Sequence, residues 1–450
     1  MSINPNLFIH KDDRAALNAL KAIPGFTPLL KSFMKVWSEK QFNIENMSTN
    51  LKLGPNQLPK YYNMLIPICD KLGIDVPDLY LKLDVYPNSD TSGDTHPFIV
   101  ITSGLLETLP DELIPTVLAH ECGHIACHHV LYHTMGQIIC SEAIQLLPFG
   151  ELVSIPIQKA FSYWMRCSEY SADRVAAVCD GSPNMVIETM TRFAGFDKDI
   201  AGEINLEAFM NQAKAYKEMT DGDGWNKTLE FIMYSDNSHP MNAVRAYEIN
   251  EWAKDDKFLK IVKYTNSDKK NIKEYIDELP VGTSSKNLIG SNYSELKNQL
   301  EELGFENITL NKVIEKGLLQ KEGQVLSISI DDQDTFNDDE WFKINSKIVI
   351  TYYEAETEEE LLAKHPNELR IPLSSDQISG KHFFDVEKMI REAGFTNVVT
   401  EEVKRGKKGL FDKDNTVFLI TINGESKFKK NDWFDKESIV KIQYNTFDKK

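Results

Sequence analysis

The chain has 450 residues, enough for about three domains at roughly 150 residues each and for a sizeable core. Its 68 acidic and 50 basic side chains leave a formal net charge of −18 and a pI near 5.1. With no polybasic block, that balance argues against nucleic acid and against docking on anionic membranes. Six cysteines, none in a CxxC pair and none in the C-terminal half, read as free thiols of a reducing, cytoplasmic compartment rather than as a secreted disulfide scaffold.

Residues 1–14 are polar and lack the apolar stretch of a secretory signal. Residues 12–22 and 28–42 carry apolar side chains at helical spacing, separated by Pro24-Gly25, and 58–72 predicts a third helix closed by Gly73. Residues 78–86 alternate apolar and polar. A turn-rich patch at 87–94 then leads into Phe98-Ile99-Val100-Ile101-Thr102, so β-structure precedes the next helix. Such a strand is either ordinary core or a free edge that can pair with an extended peptide. Thr108 is the expected N-cap of that next helix. Pro115 implies a bend or a delayed start, because proline removes one helical hydrogen bond.

That helix holds His120-Glu121-Cys122-Gly123-His124, an HExxH motif. Imidazoles spaced i, i+4 project from one face, which suits two ligands of one tetrahedral zinc. Glu121 points about 100° around the axis from His120, where it can reach an attacking water rather than the metal. Gly123 costs about 1 kcal/mol against alanine; its use would be the close approach of another backbone. His128, His129 and His133 follow. On a straight helix His120 and His128 stand about 12 Å apart along the axis, so these histidines are expected to be bystanders, as are Cys122 and Cys127.

Residues 135–165 are apolar on average but interrupted by Glu142, Gln145, Pro148, Glu151, Pro156, Gln158 and Lys159. They predict a helical hairpin turning near 148–150 rather than a membrane span. Peripheral membrane attachment through them is a minor reading. A helical run opens at Ser168 and carries Glu169 and Asp173, four apart on one face. Glu169 is the best third ligand, giving a His2Glu zinc site. Asp173 could then accept the free ring N–H of a ligand histidine. The alternative is a surface carboxylate pair with Arg174. Residues 188–209 and 241–252 also read as helical.

Beyond 285 the chain repeats itself. Leu288-Ile289-Gly290 through Gly304-Phe305 matches Ile378-Ser379-Gly380 through Gly394-Phe395. The strand-like runs at 325–330 and 348–352 match those at 417–422 and 439–444. Each unit predicts one amphipathic helix followed by about three strands. Neither holds a metal-ligand cluster, a phosphate loop or a basic stripe.

HECGH followed by Glu169-Tyr170-Ser171-Ala172-Asp173 resembles the HtpX-like and CAAX-prenyl-protease-like zinc metallopeptidases, a gluzincin family with HExxH and a later ExxxD. Ser238-His239-Pro240 followed by Arg245 resembles that family's late SHP…R element, and Pro87-Asn88, Gly93 and 98–106 are similar to its segment before the helix. The resemblance covers roughly residues 8–255. It implies a zincin-type endopeptidase with one Zn2+ per chain on His120, His124 and Glu169. It further implies Glu121 as general base, Asp173 as the support of a ligand, and His239 with Arg245 as helpers at the oxyanion. The repeats faintly resemble PASTA-like modules.

The expected architecture is therefore α+β. A mainly helical zincin-type metallopeptidase domain with a small sheet spans 1–260, and 261–285 is a linker. Two small α+β repeat modules span 286–354 and 373–450, with an acidic linker at 355–372. The expected function is zinc-dependent hydrolysis of proteins or peptides in extended conformation, with the repeats assigned to substrate or partner capture. The competing reading is a non-catalytic zinc-binding scaffold or interaction protein.

Overall fold

The computed structural model describes residues 3–36, 40–141, 144, 150–195, 198–221, 241–267, 272–314, 321–407 and 413–448. By contacts the chain divides into two compact units: Met1–Lys312 with Gly323–Tyr353, and Val313–Glu322 with Glu354–Lys450.

The first unit opens with α1 (Lys11–Ala22), α2 (Phe26–Val36), α3 (Lys40–Thr49), β1 (Leu51–Leu53) and α4 (Pro59–Leu72). β2 (Asp78–Lys82), β3 (Ser89–Ser92) and β4 (Phe98–Thr102) complete a four-stranded sheet in the order β1-β2-β4-β3. β2 runs parallel to β4, and β3 pairs antiparallel with β4 at the sheet edge. Next come α5 (Ser103–Thr108), α6 (Ile114–Ala126), α7 (Val130–Cys140), α8 (Ile155–Asp180), α9 (Asn184–Phe193) and α10 (Leu206–Asp221), then helices Asn242–Trp252 and Asp256–Thr265.

α8 is the axle. Its 26 residues pack against α1, α6, α7 and α9. Two apolar clusters flank it. One places Leu79, Ile99 and Ile101 of the sheet against Leu118 and Cys122 of α6 and Val175 of α8. The other packs Leu20, Phe33 and Ile139 against Phe161, Trp164 and Met165. Burying side chains of that size contributes about 1.5–3 kcal/mol each, so two faces of α8 are pinned before any polar contact is made. α8 begins at Ile155, well ahead of the start expected at Ser168, with Pro156 in its first turn, where proline is tolerated, and with Ile157 and Phe161 buried.

The boundary expected at residue 260 is not where the contacts divide. The stretch read as a linker holds the end of helix Asp256–Thr265 and strand Glu278–Pro280, which pairs with Trp341–Lys343. Leu279, Leu300, Phe305, Ile328 and Ile350 of the first repeat belong to the same apolar cluster as the sheet and α6. Arg14 of α1 donates to the Asp338 carbonyl, and Lys257 Nζ lies 4.4 Å from the Trp341 ring centroid. Apolar surface shared with the helical core merges the first repeat with it. Helices Ser285–Leu288 and Tyr293–Leu303 and a sheet ordered Ile308–Val313, Ile348–Tyr353, Val325–Ile330 complete that repeat.

The second unit contains helix Glu358–Lys364 and strand Glu368–Arg370 inside the expected acidic linker, the helix fixed by a Thr357/Glu360 capping box. Helices Ser375–Ile378 and Phe383–Glu392 follow, and a sheet ordered Val398–Lys407, Val440–Asp448, Thr416–Ile422. Ile378, Val386, Ile390, Phe395, Ile420 and Ile442 form its separate core.

Candidate metal centre

Pro115 lies in the first turn of α6, where its missing N–H costs no helical hydrogen bond. A 3-10 turn, Asp111–Leu113, precedes it, so the helix start is delayed rather than bent. Thr108 does not cap this helix; it closes α5, whose N-cap is Thr102, accepting from Leu105 N–H.

From α6, His120 and His124 face α8. A Cβ on Gly123 would stand 3.0 Å from Ala172 Cα and 3.1 Å from Val175 Cβ, so the missing side chain is what lets the two helices close. Glu169 then falls between the imidazoles, with Oε2 3.3 Å from His120 Nε2 and Oε1 3.4 Å from His124 Nε2. Ligand atoms of these three residues all lie within 4.8 Å of one another. Two imidazole nitrogens and a carboxylate converging this closely can hold a divalent metal of the zinc type.

Asp173, one turn further along α8, accepts at Oδ1 from His120 Nδ1 over 3.0 Å. Arg245, from helix Asn242–Trp252, donates to the same carboxylate through Nε and Nη2 at 2.8 and 2.7 Å, and its Nη1 lies 3.2 Å from Glu169 Oε2. Arg245, expected at the oxyanion, is thus committed chiefly to Asp173 and Glu169, although it still lines the cleft. Arg174, the alternative partner of Asp173, turns away toward the Phe8 and Ile9 carbonyls. His239 lies outside the described residues, as does the expected turn at 148–149.

Glu121, Glu169 and Asp173 are 4%, 1% and 2% exposed, and Arg245 is 7% exposed. Formally three negative charges face one positive charge, and a divalent cation would bring that sum to zero. Burial pulls His120 down, but the Asp173 and Glu169 carboxylates outweigh it and push its pKa up to about 10. Burial holds His124 below its ordinary value despite Glu169. Burial pushes Asp173 up, yet Arg245 and His120 leave its carboxyl below the usual range. Such opposed shifts around a cleft accompany functional sites.

Glu121 points to the sheet edge. Ser89 Oγ donates to its Oε1 and Thr91 Oγ1 to its Oε2, both at 2.5 Å. Neither hydroxyl was singled out in the sequence; the signal was only their place in the strand before the helix. A cavity of about 190 Å³ opens beside His120, Glu121 and Glu169, walled by Val117, Val186, Met190 and Phe193. A second, of about 180 Å³, lies between Asn88–Thr91 and His133 on the other side of Glu121. Cys122 points away into the core, with Sγ 4.0 Å from that of Cys69, and all six cysteines are free.

The histidines after the motif are not all bystanders. α6 ends at Ala126, and His128 adopts a left-handed conformation (φ 59°). His129 N–H bonds the His124 carbonyl at 2.9 Å and His128 N–H that of Ile125 at 3.1 Å. This is a Schellman closure with histidine where glycine is usual. It brings His129 Nδ1 within 3.2 Å of His124 Nδ1. A straight-helix estimate misses this, because the chain folds back. Among the described residues, His124, His129 and His133 form the other group whose nitrogens are close enough for an ion. Two of these rings already have a partner at Nε2: His129 Nε2 meets Asp13 at 3.0 Å and His133 Nε2 meets Ser168 Oγ at 2.6 Å. Among the described residues no helix is long and apolar enough to cross a membrane.

Residues 85–253 match the family model described as peptidase family M48. The chain is 31% identical over 263 residues to the plastoglobule-localized metallopeptidase 48, chloroplastic, of Arabidopsis thaliana, covering 58% of this chain and 76% of that one. It is 25% identical over 161 residues to a protease HtpX homolog of Sulfurovum sp., covering 31% of this chain and 58% of the relative. A second HtpX homolog, from Ralstonia nicotianae, is 22% identical over 192 residues, covering 37% and 66%. The extracellular region of a Ser/Thr kinase from Staphylococcus aureus aligns with 38% of this chain and 48% of its own at 16% identity. Its TM-score of 0.16 is too low to assign a fold.

Proposed function

The chain belongs to peptidase family M48, and we propose that it is a zinc-dependent endopeptidase cutting polypeptides in extended conformation. The observation that carries this is the convergence of His120, His124 and Glu169 beside the Glu121 carboxylate in one cleft. One zinc per chain would be held by His120 and His124 through Nε2 and by Glu169. When bound it would polarise the scissile carbonyl and lower the pKa of water to about 7.

The protein's own groups do the rest. Glu121, held at both oxygens by Ser89 and Thr91, takes a proton from the attacking water and delivers it to the leaving amine. Asp173 fixes the His120 ring so that Nε2 faces the site, and Arg245 keeps Asp173 in place. β3, the sheet edge at Ser89–Ser92, offers backbone groups to an extended substrate. The apolar walls of the 190 Å³ cavity favour an apolar side chain next to the cut bond. His239 is proposed as a helper at the oxyanion on the strength of the SHP element alone. The repeats are proposed to hold substrate or a partner, and the six free cysteines support a reducing, cytoplasmic setting.

The test is metal analysis together with cleavage of casein, comparing wild type with Glu121→Gln. Zinc near one per chain in both, with cleavage reduced at least 10²-fold in the variant, is the expected result. Zinc in both with no cleavage by wild type would support the scaffold reading instead.

A further inference from the structure

His120 and His124 are anchored differently. His120 meets a carboxylate directly, whereas His124 meets another imidazole, that of His129. Behind His129 stands Asp13 of α1, 1% exposed and 3.0 Å from His129 Nε2. Trp164 Nε1 donates to Asp13 Oδ1 at 2.9 Å and Ser171 Oγ to Oδ2 at 2.6 Å. Nothing in the metallopeptidase motifs calls for this chain of contacts.

We infer that His129 and Asp13 form a positioning relay that holds His124 as the Nδ1–H tautomer, with its Nε2 lone pair presented to the metal. The inference rests on the zinc reading above. The direction of the relay follows from donor and acceptor chemistry. An indole N–H can only donate, so the Asp13 carboxylate is an acceptor there, and it accepts the Ser171 hydroxyl as well. His129 must therefore present Nε2–H to Asp13. A neutral imidazole protonated at Nε2 has a bare Nδ1, which can only accept, so His124 supplies the proton at Nδ1. Its remaining nitrogen is then bare and faces Glu169.

The backbone supports the same placement. The left-handed His128 closes α6 so that His129 turns back onto His124. A left-handed backbone is strained for any residue with a Cβ, a strain that a mere helix end would shed by using glycine. α1 thus reaches the metal site through one buried carboxylate, which gives the N-terminal helix a role beyond packing.

The test uses the full chain. In zinc-loaded wild type labelled with 15N-histidine, long-range 1H–15N correlation should show His129 protonated at Nε2 only and His124 at Nδ1. A proton on His129 Nδ1 overturns the relay, and this readout needs no variant that folds. Zinc affinity by chelator competition should fall about 10–100-fold in Asp13→Asn and in His129→Phe. His129→Gln, which keeps an acceptor oxygen, should recover most of the loss, as a purely packing role would not. Wild-type affinity in folded Asp13→Asn and His129→Phe overturns the relay while leaving the zinc reading intact. A wild type that takes up no zinc overturns both.

Discussion

Asp173 and Arg245 form a two-pronged ion pair, 2.8 and 2.7 Å, in which the carboxylate also carries the His120 ring. The pair is buried, so its partners are not interchangeable with solvent. Removing one partner of a buried pair leaves the other charge uncompensated and typically costs about 3–5 kcal/mol. Arg245→Ala is expected to lose stability of that order in urea denaturation. Arg245→Lys, which cannot reproduce the fork, should recover only part of it. If Arg245→Ala unfolds at the wild-type midpoint, the pair is not holding the site together.

Gly123 sets the distance between the two ligand-bearing helices. A methyl group there would stand 3.0 Å from Ala172 Cα, against backbone that cannot rotate away. Gly123→Ala gains helix propensity of about 1 kcal/mol, whereas overpacking a tight contact costs about 1–3 kcal/mol. The contact should win, lowering the thermal midpoint. Zinc affinity should fall with it, because Glu169 is carried outward with α8. A variant of higher midpoint and unchanged zinc affinity would contradict the close approach.

Ser89 and Thr91 reach Glu121 from the edge strand. Hydrogen bonds to a charged group contribute about 1.5–3 kcal/mol. Replacing both hydroxyls (Ser89→Ala with Thr91→Val) should lower kcat roughly 10-fold or more while KM and zinc content stay near wild type. A change confined to KM would assign these hydroxyls to substrate binding instead.

Asp180, at the end of α8, is pushed up to about 6 by burial, against the opposing donation from Thr116 and the charge of Lys71. Its folded pKa lies above the unfolded value near 3.9, so the folded state binds this proton more tightly. Stability from Asp180 is present below about pH 4 and is lost as pH rises toward about 6, after which this contribution is flat. Asp180→Asn should therefore flatten the stability profile between about pH 4 and 6 and gain about 1–3 kcal/mol over wild type at pH 7. Parallel profiles from urea titrations of the two proteins would refute this.

Local sequence rules determined much of this protein. Imidazoles four apart on a helix must share a face, which placed His120 and His124 together. The i, i+4 spacing of Glu169 and Asp173 put a ligand candidate and its neighbour on one side of α8. The matched repeat segments likewise foretold two strand-rich modules. Tertiary structure decided what local periodicity cannot encode. Ser89 and Thr91 reach Glu121 only because β3 lies along α6. Arg245 serves Asp173 because a distant helix crosses α8. His129 meets His124 because one left-handed residue folds the chain back, and Asp13 joins them because apolar burial seats α1 on α8. The first repeat merges with the helical core for the same reason, since shared apolar area is blind to sequence distance. Direction along a helix is a local property, but the partner a side chain meets depends on which surfaces are buried together.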